Sequence, residues 1–461
     1  MSQLQWFLGK LLVKAEVKRN KNIKHRNFLL FISCIIGLFS ALAAVLMKLT
    51  VQFFERRADR LNDTLHSTWL TAVFPLIGIG LCLLILKRVF RGKLQRGVGF
   101  VIESILVNRS QIHKRHVLGH IITGAITVAF GGSVGLEAPI VLTGAAIGSN
   151  AGYDMRLSYK DTTLLLACGV ASGIAAVFNS PIAGIVFTLE VLLLDFNIPF
   201  FIPLLISTAT GTVVSQVLYP DKFFFQHITG WNLKAIPFYV MLGIGCGFIS
   251  VYVSYIVEKV EGYFHKKPLG WKSWLMAGIP LCLLICLFPV LYGEGYHTIL
   301  ALLKGRYEVL TAHSFLRGMN SAAGIIIMCS LLIIFKIFTA TLTMSAGGNG
   351  GIFAPSMIIG GLSGFLFAYI VNLTGIFPLN TANFIIVAMA GVLAGVMHAP
   401  LTAIFLLAEI TGGYTLFVPL MIVVAISYFI TRKYLPYSVY HKSLAERRLP
   451  KFEHAVNRQH F

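Results

Sequence analysis

Gly131-Gly132-Ser133-Val134-Gly135-Leu136-Glu137-Ala138-Pro139 is the stretch that decides how this chain folds. Glycines surround one carboxylate, and apolar sequence flanks the stretch on both sides. A matching stretch lies in the second half, Gly347-Gly348-Asn349-Gly350-Gly351-Ile352-Phe353-Ala354-Pro355. Gly135 pairs with Gly351, Ala138 with Ala354 and Pro139 with Pro355, each 216 positions apart, and Gly144/Gly360 and Gly148/Gly364 keep the same step. Glycine lets backbone approach an ion closely, and proline marks a helix start. Each half is therefore expected to carry one broken helix with an exposed backbone turn, and one turn also holds an acid.

The surrounding composition sets the solvent. Of 461 residues, 56% are hydrophobic and only 12% charged, and the mean hydropathy is +0.79. Runs such as Phe28–Met47, Ile236–Val257, Leu275–Val290 and Leu416–Ile430 approach or reach bilayer-spanning length. The chain reads as a polytopic, all-α integral membrane protein. Its first run is no signal peptide, because a polar, basic segment precedes it and further spans follow.

A net charge of +20 would suggest nucleic acid in a soluble protein. Here the basic residues gather at the chain ends and between spans, so lipid headgroups are the expected contact and nucleic acid is not. By the positive-inside tendency both termini face the cytoplasm, with a cell (inner) membrane as the setting. Lys48, Arg56, Arg57 and Arg60 then fall outside, against that tendency. The seven cysteines all lie in apolar runs and read as small buried hydrophobes. No Cys/His spacing for a metal appears, and no cofactor is expected.

Residues 1–27 form a basic segment, 28–445 a single membrane domain with halves of about 28–218 and 236–431, and 446–461 a short tail. Full spans are expected at Phe28–Met47, followed by a loop to Ser67, at Trp69–Leu86, and at Ser321–Thr339 after a loop over 292–320. From Gly97 the apolar pieces shorten. Ile140–Ala151, about 18 Å as a helix, cannot cross a core of about 30 Å, so re-entrant half-helices are expected. A second repeat joins the halves: Asn179-Ser180-Pro181-Ile182-Ala183 parallels His398-Ala399-Pro400-Leu401-Thr402 at an offset of 219, which sets Glu190 opposite Glu409. Paired interrupted helices in two related halves are the pattern of secondary transporters and related channels. Periodicity leaves open whether the halves are parallel or inverted.

A helix that starts at membrane depth presents unpaired N–H groups and the positive end of its dipole. Two such starts aimed at one spot make an anion site of partial charges, weak enough to release what it binds. No Lys or Arg lies within either glycine stretch, as this requires. Glu137, a lone acid at that depth, costs about 2–3 kcal/mol or more and reads as functional. Its carboxylate is a tethered anion competing for the site, and protonation would free it to swing out, as a gate, a proton carrier or both.

Gly135-Leu136-Glu137-Ala138-Pro139 resembles the G-[K/R]-E-G-P signature of the CLC chloride channels and proton-coupled exchangers. Gly350-Gly351-Ile352-Phe353-Ala354-Pro355 resembles their G-G-I-F-x-P signature, and Phe178-Asn179-Ser180-Pro181 and Pro436-Tyr437-Ser438 resemble two further family segments. The likeness runs from about residue 30 to 445 and is of the prokaryotic type, without cytosolic CBS domains. It implies an inverted-repeat helical fold, a homodimer with one pore per subunit, and transport of chloride and protons, with no enzymatic activity. It implies Glu137 as the gating glutamate. The N–H groups of Ile352 and Phe353 and the Tyr437 hydroxyl would then hold a central anion, and those of Leu136, Glu137 and Ala138 an outer one.

The chain departs from the family pattern in four places. Gly97 stands where the G-S-G-I-P signature places an anion-contacting serine, Leu136 where a basic residue is usual, and Ala138 where glycine is. Val191 stands where exchangers carry an inner proton-handling glutamate, with Glu190 beside it as a structural acid. A voltage- or proton-gated channel, a Cl⁻/H⁺ antiporter and a fluoride-selective exchanger all fit these residues, and the Gly-Ile-Phe-Ala-Pro turn favours chloride.

Two readings from other classes compete. Gly131-Gly132-Ser133-Val134-Gly135 also fits the G-x-S-x-G elbow of a serine hydrolase, with His116 and His120 nearby, but that motif needs a strand-to-helix turn. A cation-coupled organic-solute transporter shares the broken helices but calls for more buried polar groups. His398, Glu103 and Glu409 read as structural.

Overall fold

The computed structural model describes residues 25–65, 68–192, 198–220, 230–266, 270–311, 314 and 321–446. The expected terminal segments 1–27 and 446–461 lie almost wholly outside the described residues. The first half runs α1 (His25–Leu65), α2 (Thr68–Arg88), α3 (Val98–Leu106), α4 (Arg115–Ala129), α5 (Glu137–Asp154), α6 (Tyr159–Phe178), α7 (Pro181–Val191) and α8 (Ile198–Leu218). The second runs α9 (Ile236–His265), α10 (Trp271–Leu287), α11 (Tyr296–Leu303), α12 (Ala322–Ala346), α13 (Phe353–Thr374), α14 (Thr381–Met397), α15 (Pro400–Ile410) and α16 (Phe417–Tyr434), with α17 (Val439–Glu446) after it. Seven helical segments among the described residues are long and apolar enough to cross a bilayer. The all-α polytopic class is therefore the observed one.

Three elements differ from expectation. The loop expected after Met47 is helix instead, because nothing between Met47 and Leu65 is glycine or proline, and α1 continues for 41 residues. Helix α5 starts at Glu137 rather than Ile140 and runs 18 residues, about 27 Å. Pro139 sits in its first turn, where a missing N–H costs nothing. Third, the loop expected over 292–320 contains α11.

The glycine step of 216 has a packing reason. A Cβ at Gly144 would stand 2.2 Å from the Gly169 carbonyl oxygen of α6, and one at Gly360 2.4 Å from the Ala388 carbonyl oxygen of α14. Helices α5 and α6, and likewise α13 and α14, touch backbone to backbone, which is how bilayer helices gain attraction without a hydrophobic effect between them. The second step, 219, marks the turns that follow. Asn179 and His398 both take the left-handed conformation, at φ 53° and 55°, and each turns the chain into a short helix opening on proline.

Those short helices settle the relation between halves. Glu190 near the end of α7 accepts from Leu401 N–H (3.0 Å) and Thr402 N–H (2.8 Å) at the start of α15. Glu409 near the end of α15 accepts from Ile182 N–H (3.0 Å) and Ala183 N–H (2.9 Å) at the start of α7. Each helix ends where the other begins, so α7 and α15 are antiparallel and the repeat is inverted. The carboxylates thus occupy the first-turn N–H groups of both short helices.

Candidate functional site

Gly135 and Gly351 exchange two backbone hydrogen bonds, N–H to O=C in each direction, both 3.0 Å. This is an isolated antiparallel bridge between the turns. It holds the starts of α5 and α13 side by side. A Cβ at Gly135 would come 2.7 Å from the Ala354 Cβ, and one at Gly351 2.9 Å from the Ala138 Cβ, so the close approach is reciprocal. In both turns the first-turn N–H groups, among them those of Ala138, Ile352 and Phe353, have no acceptor within their own helix. Phe353, Ile352 and Ala138 are buried, and the Phe353 ring lies 5.6 Å from Phe178 and 6.1 Å from Phe187, an apolar wall beside those donors.

Glu137 is the first residue of α5 and only 2% exposed. Its Oε1 accepts from the Tyr296 hydroxyl at 3.1 Å, a donor brought by α11. Oε2 meets no donor at hydrogen-bond geometry, although the N–H groups of Glu137 itself and of Ala354 are close enough to stabilise its charge. A Cβ on Gly135 would fall 1.9 Å from Oε2, so the carboxylate folds back over the bridge glycine. The carboxylate thus occupies the meeting point of two helix N-termini, one from each half, with no lysine or arginine in direct contact among the described residues.

The other expected site residues lie on separate elements. Gly97 precedes α3 at φ 86°, and a Cβ there would meet nothing within 4 Å, so it borders open space. Arg96 beside it donates to the Gly348 carbonyl at 2.8 Å, linking that segment to the second turn. Tyr437 is 38% exposed between α16 and α17. Tyr440, three residues on, is buried and near enough to Glu137 for the two charges to interact. Leu136 caps α5, and its N–H is already bound by a carboxylate.

Sequence reasoning missed three groups. Glu294, in the loop before α11, accepts from Leu136 N–H at 3.1 Å through Oε1. Lys336 of α12 is fully buried and donates to Ser133 Oγ and to the Gly293 carbonyl, both at 2.8 Å. His441 of α17 is buried with Nδ1 2.9 Å from Ser438 Oγ and Nε2 3.1 Å from the Val191 carbonyl oxygen. The signals were a lone acid in Tyr-Gly-Glu-Gly-Tyr and a lone lysine inside an apolar helix, both costly at depth. For His441 the sequence carries no signal. Lys48, which falls on the outer side of the membrane by the charge pattern, is buried there: it donates to the Val177 carbonyl and stands 4.9 Å over the Tyr219 ring.

The serine-hydrolase arrangement is not what these residues form. Ser133 is fully buried and bonded by Lys336 and Thr339 (2.9 Å). His120 bonds His116 (3.2 Å) and Asn349 (3.1 Å), and both glycine stretches join helices. His398 is the left-handed cap already described, its ring edge-on to Tyr428.

Above α5 a cavity of about 340 Å³ opens toward Glu137, with Lys48, Glu55, Arg56 and Glu294 contributing its charges. Two facing helix starts, a buried carboxylate between them and a charged vestibule leading in define a membrane transporter for small anions. The comparisons agree. The voltage gated chloride channel family model matches residues 77–432, and the chain belongs to that family of CLC chloride channels and exchangers. It is 26% identical over 443 residues to the putative chloride channel protein ClcB-like of Ralstonia nicotianae, covering 91% of this chain and 97% of that one. It is 28% identical over 412 residues to the H(+)/Cl(-) exchange transporter ClcA of Vibrio cholerae, covering 85% and 84%. A slow cyanobacterial Cl-/H+ antiporter shares its fold at a TM-score of 0.78 and 20% identity, covering 95% of this chain and 100% of that structure.

Proposed function

We propose that the chain exchanges chloride for protons across the bilayer, with Glu137 as the gate. The observation that carries this reading is the Glu137 carboxylate, 2% exposed at the junction of α5 and α13. Ionised, it fills the seat that an anion needs. Protonated, it loses its attraction for the helix dipoles and leaves the N–H groups of Glu137, Ala138, Ile352 and Phe353 to chloride, next to the Leu136 N–H that Glu294 holds. The Gly97 edge and Tyr437 complete the path on the far side of the bridge. Coupled exchange, rather than passive conduction, is supported by His441. It puts a titratable ring against the Val191 carbonyl, where the family resemblance implies a carboxylate that this sequence lacks. The basic stretch Lys87–Arg96 puts the far side toward the cytoplasm and the vestibule outside, in an inner membrane. The working unit is a homodimer, which mass measurement in nanodiscs tests.

The decisive experiment records chloride efflux and proton uptake together in proteoliposomes, for wild type and Glu137→Gln. Wild-type chloride flux should drive protons uphill, and the variant should move chloride without them. Chloride movement with no linked protons in either protein would make this a channel. Fluoride in place of chloride supplies the selectivity arm. Absence of flux for both anions would remove the anion-transport reading.

A further inference from the structure

The vestibule holds a second carboxylate on an anion-binding N–H. Glu294 sits in Tyr292-Gly293-Glu294-Gly295-Tyr296, and both flanking glycines have positive φ, 63° and 98°. That backbone is open to glycine and strained for other residues, and it turns the Glu294 side chain back toward α5. The loop is fixed from two sides. Gly293 N–H donates to the Gly131 carbonyl at 3.1 Å, and the Gly293 carbonyl accepts from Lys336 at 2.8 Å. So held, Glu294 Oε1 takes the N–H of Leu136 at 3.1 Å, one residue before Glu137. An anion entering the cavity from the vestibule reaches that donor ahead of the ones Glu137 guards.

We propose that Glu294 is a second tethered carboxylate of this transporter: it occupies an outer anion position at the Leu136 N–H and must give it up for chloride to enter. The proposal rests on the anion-transport reading above. Charges face Glu294 from every side of the vestibule: Glu137 on α5, Lys336 on α12, and Lys48, Glu55 and Arg56 on α1. Tyr296 and His297 of α11 line the same cavity. Burial opposes its ionised form most strongly and Glu137 adds to that, whereas the Leu136 N–H, Lys48 and Lys336 favour it. Two carboxylates in one poorly hydrated space share protons rather than titrate independently. As chloride takes the Leu136 N–H, the displaced Glu294 oxygen binds a proton from the vestibule solution, so charge in the site is conserved. Entry is then a two-stage exchange, Glu294 first and Glu137 second, and each stage takes up a proton.

The test adds chloride to weakly buffered, purified full-length protein and reads proton uptake. Wild type should take up protons. E137Q should still take up protons, and E137Q/E294Q should not. In proteoliposomes E294Q and E294A should lower the half-saturating chloride concentration about tenfold, as removal of a charged competitor for one hydrogen bond requires, and should flatten the acid dependence of flux. E137Q without chloride-linked proton uptake overturns the proposal, and this decides the matter even if the E294 variants fail to fold. So do E294 variants that keep the wild-type chloride dependence and pH profile while transporting. Neither result touches the transport reading, which fails only if wild type neither binds nor moves chloride.

Discussion

Gly135 and Gly351, 216 residues apart, each donate to and accept from the other, with both hydrogen bonds 3.0 Å long. The pair fixes the distance between two helix starts that come from opposite halves of the chain. It also brings Ala354 against Gly135 and Ala138 against Gly351, so a side chain at either glycine meets the opposite half.

The two glycines should differ in consequence. A methyl at Gly135 would stand 1.9 Å from Glu137 Oε2, whereas one at Gly351 would meet Ala138, its methyl at 2.9 Å and its backbone nitrogen at 3.4 Å. Gly135→Ala should displace the carboxylate and flatten the acid dependence of chloride flux. Gly351→Ala should keep that dependence and cost stability alone, about 1–3 kcal/mol for overpacking. Flux against pH for both variants checks this, and equal pH profiles would refute it.

Removing either reciprocal cap leaves two N–H groups unpaired at membrane depth. Glu190→Ala and Glu409→Ala should each destabilise by about 1–3 kcal/mol, seen as a lower melting temperature in detergent. Glu409→Gln, which keeps an acceptor oxygen, should recover part of the loss. An unchanged melting temperature in both alanine variants would show that the caps carry no stability.

Lys336 ties Ser133 to the Gly293 carbonyl, and so ties the first glycine turn to the Glu294 loop. Lys336→Met should release that loop, lower the half-saturating chloride concentration as loss of the Glu294 competitor does, and lower the melting temperature. Wild-type chloride dependence in a folded Lys336→Met protein would assign the lysine a purely structural part.

Gly97 and Gly92 make a matched pair. Both have positive φ, 86° and 69°, and both face open space, but only Gly97 precedes α3 beside the second turn. Serine at either position should bring backbone strain of about 1–3 kcal/mol, more at Gly97, whose φ 86° and ψ 148° suit glycine almost alone. Only Gly97→Ser should alter the ratio of chloride to fluoride flux. If Gly92→Ser alters it equally, Gly97 does not line the path.

Much of this arrangement was legible beforehand because it rests on backbone. Glycine and proline report on conformation locally, so the turns at Gly135 and Gly351, the prolines that open short helices, and the repeat that pairs Glu190 with Glu409 could all be found by spacing. The lone acid Glu137 stood out by cost. Helix α1 runs on past Met47, where hydropathy alone ends the span, because helix propensity carries on through charge and stops at glycine or proline.

The sequence by itself determined that this is a membrane protein built from two related halves, with a carboxylate at one of two matched breaks. Hydropathy, glycine and proline act within a few residues of themselves, and a linear chain displays them. The tertiary structure alone decided that the halves are inverted, since that follows from which end of α7 meets which end of α15. It alone brought Tyr296, Glu294, Lys336 and Lys48 around the start of α5 and set His441 against Val191. Those neighbours come from distant parts of the chain, and a charge or hydroxyl acts through space over a few ångströms whatever its place in the sequence.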